Sequence, residues 1–164
     1  MSRLGADEQG AVAIEFALWS LGFFLALLAA FDFGSFYLQR STTGEAVSAA
    51  AVQSFVTRDD VNFTALPAYV RTSAEIPSLD VELACNGVAG SCTNLSRRCA
   101  CLNKDGGYTQ ANCGTICPVG RASTGSTAGY YLSIRASAPF SPMLLPDGVL
   151  KDSVVQQHGT VRLQ

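Results

Sequence analysis

The chain has one histidine, His158, and one tryptophan, Trp19. A lone imidazole, with no acid–base pair in a pocket-forming stretch, leaves the usual catalytic constellations without members, so no catalytic residue is expected. No phosphate-cradling glycine loop occurs, which argues against nucleotide chemistry. Charged residues make up only 15%, the formal net charge is -2, and no run of like charges appears. A nucleic-acid surface is therefore not expected. There is no Cys-x-x-Cys pair, and the first cysteine is Cys85. Redox catalysis and a paired-knuckle zinc site are both disfavoured, with His158 remote from the cysteines. No cofactor, metal or small-molecule substrate is expected.

Where charge is missing, apolar residues take over. From Ala11 to Phe31 the only ionisable residue is Glu15. As a helix this 21-residue window measures about 31 Å, enough to cross a hydrocarbon core of about 30 Å. A span beginning after Glu15 would reach only about 24 Å, so the carboxylate is expected just inside the membrane edge. There it costs roughly 2.5 to 3.5 kcal/mol on insertion scales and needs a partner or a role. A secretory signal peptide has a similar outline, but Arg3 is offset by Asp7 and Glu8, and Leu28-Ala29-Ala30 is a weak cleavage site. Flanking charges barely discriminate orientation, Arg3 on one side standing against Arg40 and Asp32 on the other. The cysteines suit an oxidising compartment, which puts the bulk of the chain outside and the N-terminus in the cytoplasm.

Beyond Phe31 the sequence stays helix-compatible through the alanine-rich Glu45 to Val56. Thr42-Thr43-Gly44-Glu45 matches a capping box that could start a new helix, and Gly34 and Gly44 each weaken a helix by about 1 kcal/mol. A continuous or gently kinked stem is favoured. A short helix is expected around Pro67 to Glu75, after Asp59-Asp60. Leu79 to Leu83 and Gly129 to Ala138 alternate apolar and polar and read as strands. Pro139, Pro142 and Pro146 bound a loop, and Val154 to Leu163 supplies a third strand, interrupted near His158-Gly159. Asp80 and Glu82 against Arg135 read as a solvated sheet face. The fold class is α+β: a long N-terminal transmembrane and stem helix, then a small antiparallel-sheet domain with a disulfide-rich loop insertion.

Asn86 to Ala128 reads as a long irregular segment. Cys85, Cys92, Cys99, Cys101, Cys113 and Cys117 form an even set suited to three disulfides. A direct Cys99 to Cys101 bond is disfavoured by diverging Cβ atoms; the pairing is otherwise open.

A cut after Gly10 would free an α-amine on Ala11, mostly protonated at neutral pH with a pKa of about 7.7 to 8.0. Ala11 and Glu15 stand four apart, on one helix face. Between neighbouring helices the same two charges, beside Phe16, could set the stagger of one subunit against the next. Gly22, Ala26, Ala30 and Gly34 form a small-x3-small stripe that lets helices approach closely in lipid.

These residues resemble type IV prepilins: a short polar leader ending in Gly10, then Ala11, then Glu15-Phe16 ahead of a long apolar helix. With Phe31-Asp32-Phe33-Gly34, Glu45 to Ala51, Ala138-Pro139-Phe140 and the tail from Val154, the order is similar to the TadE-like minor pseudopilins of the tight-adherence (Tad, Flp) pilus. The segment from Cys85 to Cys117 departs from that pattern. The resemblance implies residues 1–10 as a leader, 11–57 as transmembrane and stem helix, and 58–164 as an extracytoplasmic domain with a cysteine-rich insertion at 85–128. It implies cleavage by a prepilin peptidase between Gly10 and Ala11, and partnership with other pilins, pseudopilins and the Tad assembly platform. The site would be the bacterial inner membrane, single-pass, with a periplasmic C-terminal domain, in or at the tip of the pilus, serving adherence. An unprocessed single-pass envelope binding or assembly protein is the competing expectation.

Overall fold

The computed structural model describes residues 8–58, 61–90, 98–120, 122, 125–144 and 153–164. Residues 1–7 of the leader, Asp59-Asp60, Cys92 and Pro146 lie outside the described residues. The order is α1 (Glu8–Ser54), α2 (Ala65–Ser73), β1 (Asp80–Cys85), β2 (Val88–Ala89), β3 (Ala100–Leu102), β4 (Tyr108–Gln110), β5 (Tyr131–Pro139) and β6 (Val154–Arg162). The fold is α+β, with a long apolar N-terminal helix ahead of a small antiparallel sheet.

The chain forms two compact units, Met1–Tyr37 with Phe140–Ser153, and Leu38–Pro139 with Val154–Gln164. In the first, ten large apolar side chains of α1 between Val12 and Leu27 are exposed. A helix that is apolar all round and buries none of it in its own protein requires another apolar medium.

In the second unit the C-terminal part of α1 is packed. Thr43, Ala46, Val47 and Ala50 are buried, a stripe at helical spacing whose small side chains allow close approach. The capping-box alternative does not form. The hydroxyls of Thr42 (3.1 Å) and Thr43 (2.7 Å) both donate back to the Gln39 carbonyl, the mid-helix use of threonine. The helix runs through Gly34 and Gly44 without a break.

α2 begins two residues before Pro67, where Asn62 Oδ1 accepts from the amides of Thr64 (2.9 Å) and Ala65 (2.8 Å). It buries Leu66, Pro67 and Val70. The main sheet has the order β2-β1-β5-β6, antiparallel throughout. Val81, Leu83, Leu132, Ile134, Ala136 and Val155 are buried from the three long strands, as their alternation requires.

Two expectations need correction. β6 is not interrupted at His158-Gly159: Gly159 pairs with Ile134 inside a continuous ladder. A Cβ there would lie 2.8 Å from Val47 Cγ1, so the glycine is a helix–sheet contact point rather than a break. Nor is Asn86 to Ala128 wholly irregular. Asn86 (φ 48°) and Gly87 (φ 81°) turn β1 into β2, the two positive φ values that a two-residue hairpin turn demands. β3 and β4 form a second small sheet.

Candidate functional site

The proposed processing and registration residues lie at the start of α1. Gly10 and Ala11 fall in its first turn, the part of a helix that unwinds most cheaply because its amides lack intrahelical partners. Ala11, Glu15 and Phe16 are all exposed along the helix. A Cβ on Gly10 would meet nothing within 4 Å. Substitution at Gly10 therefore crowds no neighbour in the folded chain. Gly22, Ala26, Ala30 and Gly34 are exposed too, and a Cβ on Gly22 or Gly34 would also meet nothing within 4 Å. The stripe is open for another helix.

At the other end of the apolar window stands Asp32, which the sequence reading took as a flanking charge and as part of the Phe31-Asp32-Phe33-Gly34 resemblance, with no structural role. Asp32 is 1% exposed, and its two carboxylate oxygens accept from the backbone amides of Met143 and Leu144, each at 3.0 Å. Phe36 stacks edge-on against Phe140 with ring centroids 5.2 Å apart. A Phe140 N–H to Ser153 carbonyl bond (2.8 Å) closes the base of this β5–β6 loop. Residues 140–144 are thus held to α1 by a charged double acceptor and an aromatic pair. Charge-assisted bonds to backbone amides are among the stronger hydrogen bonds. In Asp32→Ala the two amides lose this acceptor, at about 1.5 kcal/mol each for bonds to a charged group. Hydrogen exchange at Met143 and Leu144 should accelerate by several-fold to about tenfold; unchanged protection would remove the clamp.

The cysteine module belongs to the second unit. Cys99 bonds Cys113 and Cys101 bonds Cys117, so neighbouring cysteines on β3 reach separate partners. Cys85 is disulfide-bonded as well. The buried cluster here consists of Cys99, Cys101, Cys117, Ala122 and Ala128. Sulfur and methyl groups are nearly all the core it has.

Asn86 and Tyr108 are among the residues that latch the module to the main sheet. Asn86 exchanges bonds with the Tyr131 backbone, accepting through Oδ1 and donating through its own amide, both 2.9 Å, and its Nδ2 donates to the Arg98 carbonyl. Tyr108 from β4 shares a 2.6 Å hydroxyl bond with Ser133 of β5 and packs its ring on Gly87. Between module and sheet lies an open cavity of about 530 Å³ whose lining includes Glu82, Arg135, His158, Tyr108 and Ser133. Glu82, Arg135 and His158 are cross-strand neighbours in one row, all exposed, so opposite charges face each other on a solvated surface.

Sequence reading missed Asp32 because its partners are 111 and 112 residues away. The Asn86-Gly87 hairpin had a local signal, since that dipeptide is the strongest short-range marker of such a turn.

Residues 10–52 match the family model described as TadE-like protein. No curated protein and no solved structure matches the chain.

Proposed function

We propose, from the match of residues 10–52 to the TadE-like family model, that the chain is a minor pseudopilin: a non-enzymatic, membrane-anchored subunit in assembly of a Tad-type pilus. The observation that carries this reading is a coincidence of boundaries. The family match begins at Gly10, the residue that ends the polar leader, and α1 places Glu15 four residues beyond Ala11.

A prepilin peptidase cuts between Gly10 and Ala11 in the readily frayed first turn of α1. The new α-amine carries a positive charge at neutral pH. Each Glu15 takes the Ala11 amine of a neighbouring subunit, so charge neutralisation in lipid fixes axial register. The pair adds less net stability than specificity, because both ions lose water on burial. The stripe from Gly22 to Gly34 supplies the close helix contact. With the disulfides requiring an oxidising compartment, the N-terminus lies in the cytoplasm and the sheet and cysteine module lie in the periplasm.

The test is the N-terminus of the mature protein. Intact mass of chain purified from cells holding the peptidase should correspond to a start at Ala11, and Gly10→Val should remain full-length. Because a Cβ on Gly10 meets nothing within 4 Å among the described residues, an uncut Gly10→Val product reports on the peptidase and not on misfolding. A parent chain that keeps residues 1–10 in those cells is instead the unprocessed envelope protein.

A further inference from the structure

We infer that Met143 and Leu144, just after β5, form a second membrane contact and sit in the lipid headgroup layer beside the end of the span. The inference rests on the membrane-anchored reading above.

The depth follows from helix rise. If residues 11–31 fill the hydrocarbon core, Asp32 lies about 1.5 Å beyond it and Phe36 about 7.5 Å beyond. Each headgroup layer is about 5 to 7 Å thick. Among the described residues, Asp32 holds the Met143 and Leu144 amides and Phe36 meets Phe140. Asp32 falls inside the headgroup layer and Phe36 at its outer edge, so Met143 and Leu144 are held at headgroup depth.

What it presents there is apolar. Met143 is 81% exposed and Leu144 49%, while on α1 Phe33 is 50% and Tyr37 71% exposed. Aromatic residues at this level are the usual interfacial anchors of a span. Non-helical backbone next to lipid is tolerated only when its amides are satisfied within the protein. Asp32 does this for the same two residues whose side chains point outward. A carboxylate buried to 1% exposure, spent on the backbone of two exposed apolar residues, fits a loop that faces lipid better than one that faces water. Met143 and Leu144 belong to the same compact unit as the exposed apolar length of α1, so the medium that covers that length is the occupant this face meets, rather than a separate protein.

Depth-resolved quenching tests this in the full-length chain, reconstituted in nanodiscs of phosphatidylcholine and phosphatidylglycerol. Trp19, the single tryptophan, lies about 3 Å from the middle of the 11–31 window and serves as internal reference. In the parent its emission should be lost chiefly to bromines near the methyl end of the acyl chains. In Trp19→Phe/Met143→Trp, emission should shift to the blue and be lost chiefly to bromines near the glycerol end. Trp19→Phe/Leu144→Trp should behave alike and covers the case in which the first variant misfolds. Red-shifted, unquenched emission from both variants, with Trp19 quenched in the parent, would overturn the lipid contact and leave the anchor standing. A blue shift without bromine quenching, dependent on copies per nanodisc, would assign the loop to a protein contact instead. Loss of quenching at Trp19 itself would overturn the anchor, and this inference with it.

Discussion

Glu15→Ala chain should be inserted and cut after Gly10 as well as the parent, yet support few or no pili. The two halves of this result follow from the same residue. For a lone helix, a carboxylate inside the membrane edge is a cost of roughly 2.5 to 3.5 kcal/mol, so its removal favours insertion. Glu15 is exposed on α1, and alanine is the best helix former, so folding gives no reason for loss. In the assembly the balance reverses. Each freed Ala11 amine would be left buried without its neighbour's carboxylate, and breaking a buried pair from one side costs about 3 to 5 kcal/mol. At about 1.4 kcal/mol per factor of ten, that weakens each subunit addition by more than a hundredfold. Electron microscopy of cells carrying the variant, with mass spectrometry of the processed chain, reads both halves. Parental piliation by Glu15→Ala would remove Glu15 from the mechanism, whatever the state of the N-terminus.

The second large effect concerns the cysteine module. Replacing Cys99 and Cys113 together by serine should destabilise it by about 3 kcal/mol, the chain-entropy value for a loop of this size; the bonded residues are 14 apart in sequence. Removing the Cys101–Cys117 bond, with a separation of 16, should cost a similar amount. Neither loss can be absorbed locally. With the disulfides gone, Ala122 and Ala128, with Ala111 packed against them, are what remains of the buried cluster among the described residues, and a few methyl groups cannot offset the ordering entropy of a segment that long. The main sheet should survive, because its core from Val81, Leu83, Leu132, Ile134 and Ala136 is separate. Limited proteolysis under reducing conditions should therefore cut within residues 98–128 while β1, β5 and β6 stay protected. Global unfolding on reduction would show that the latch through Asn86 and Tyr108 carries the sheet as well.

The favoured continuous stem stands, and the reason its alternative fails lies in two residues. Thr42 and Thr43 match a helix start, but a threonine hydroxyl serves equally well inside a helix by donating to a carbonyl one turn back. Both do so at Gln39. Gly159 looked like an interruption because glycine weakens strands in general. Here its missing side chain makes room for Val47, which lies more than a hundred residues earlier. Asn86-Gly87 was absorbed into a long loop although its turn preference is local. The long segment around it, rich in Gly, Ser, Thr and Asn, hid a strand of only two residues.

Elements whose cause is local were legible in the residues alone. The run from Ala11 to Phe31 specifies a helix long and apolar enough to cross a membrane, because length and hydropathy act residue by residue. The alternation in β1 and β5 specifies half-buried strands because a pleat has a period of two. Gly10, Ala11 and Glu15 define a candidate processing and pairing motif because four residues close one helical turn. Tertiary structure alone decided which cysteine on β3 meets which partner, why β6 needs Gly159, and what Asp32 is for. A carboxylate in the chain is only a charge. It becomes a clamp when folding brings the amides of Met143 and Leu144 to its two oxygens, and no local preference encodes an encounter across more than a hundred residues.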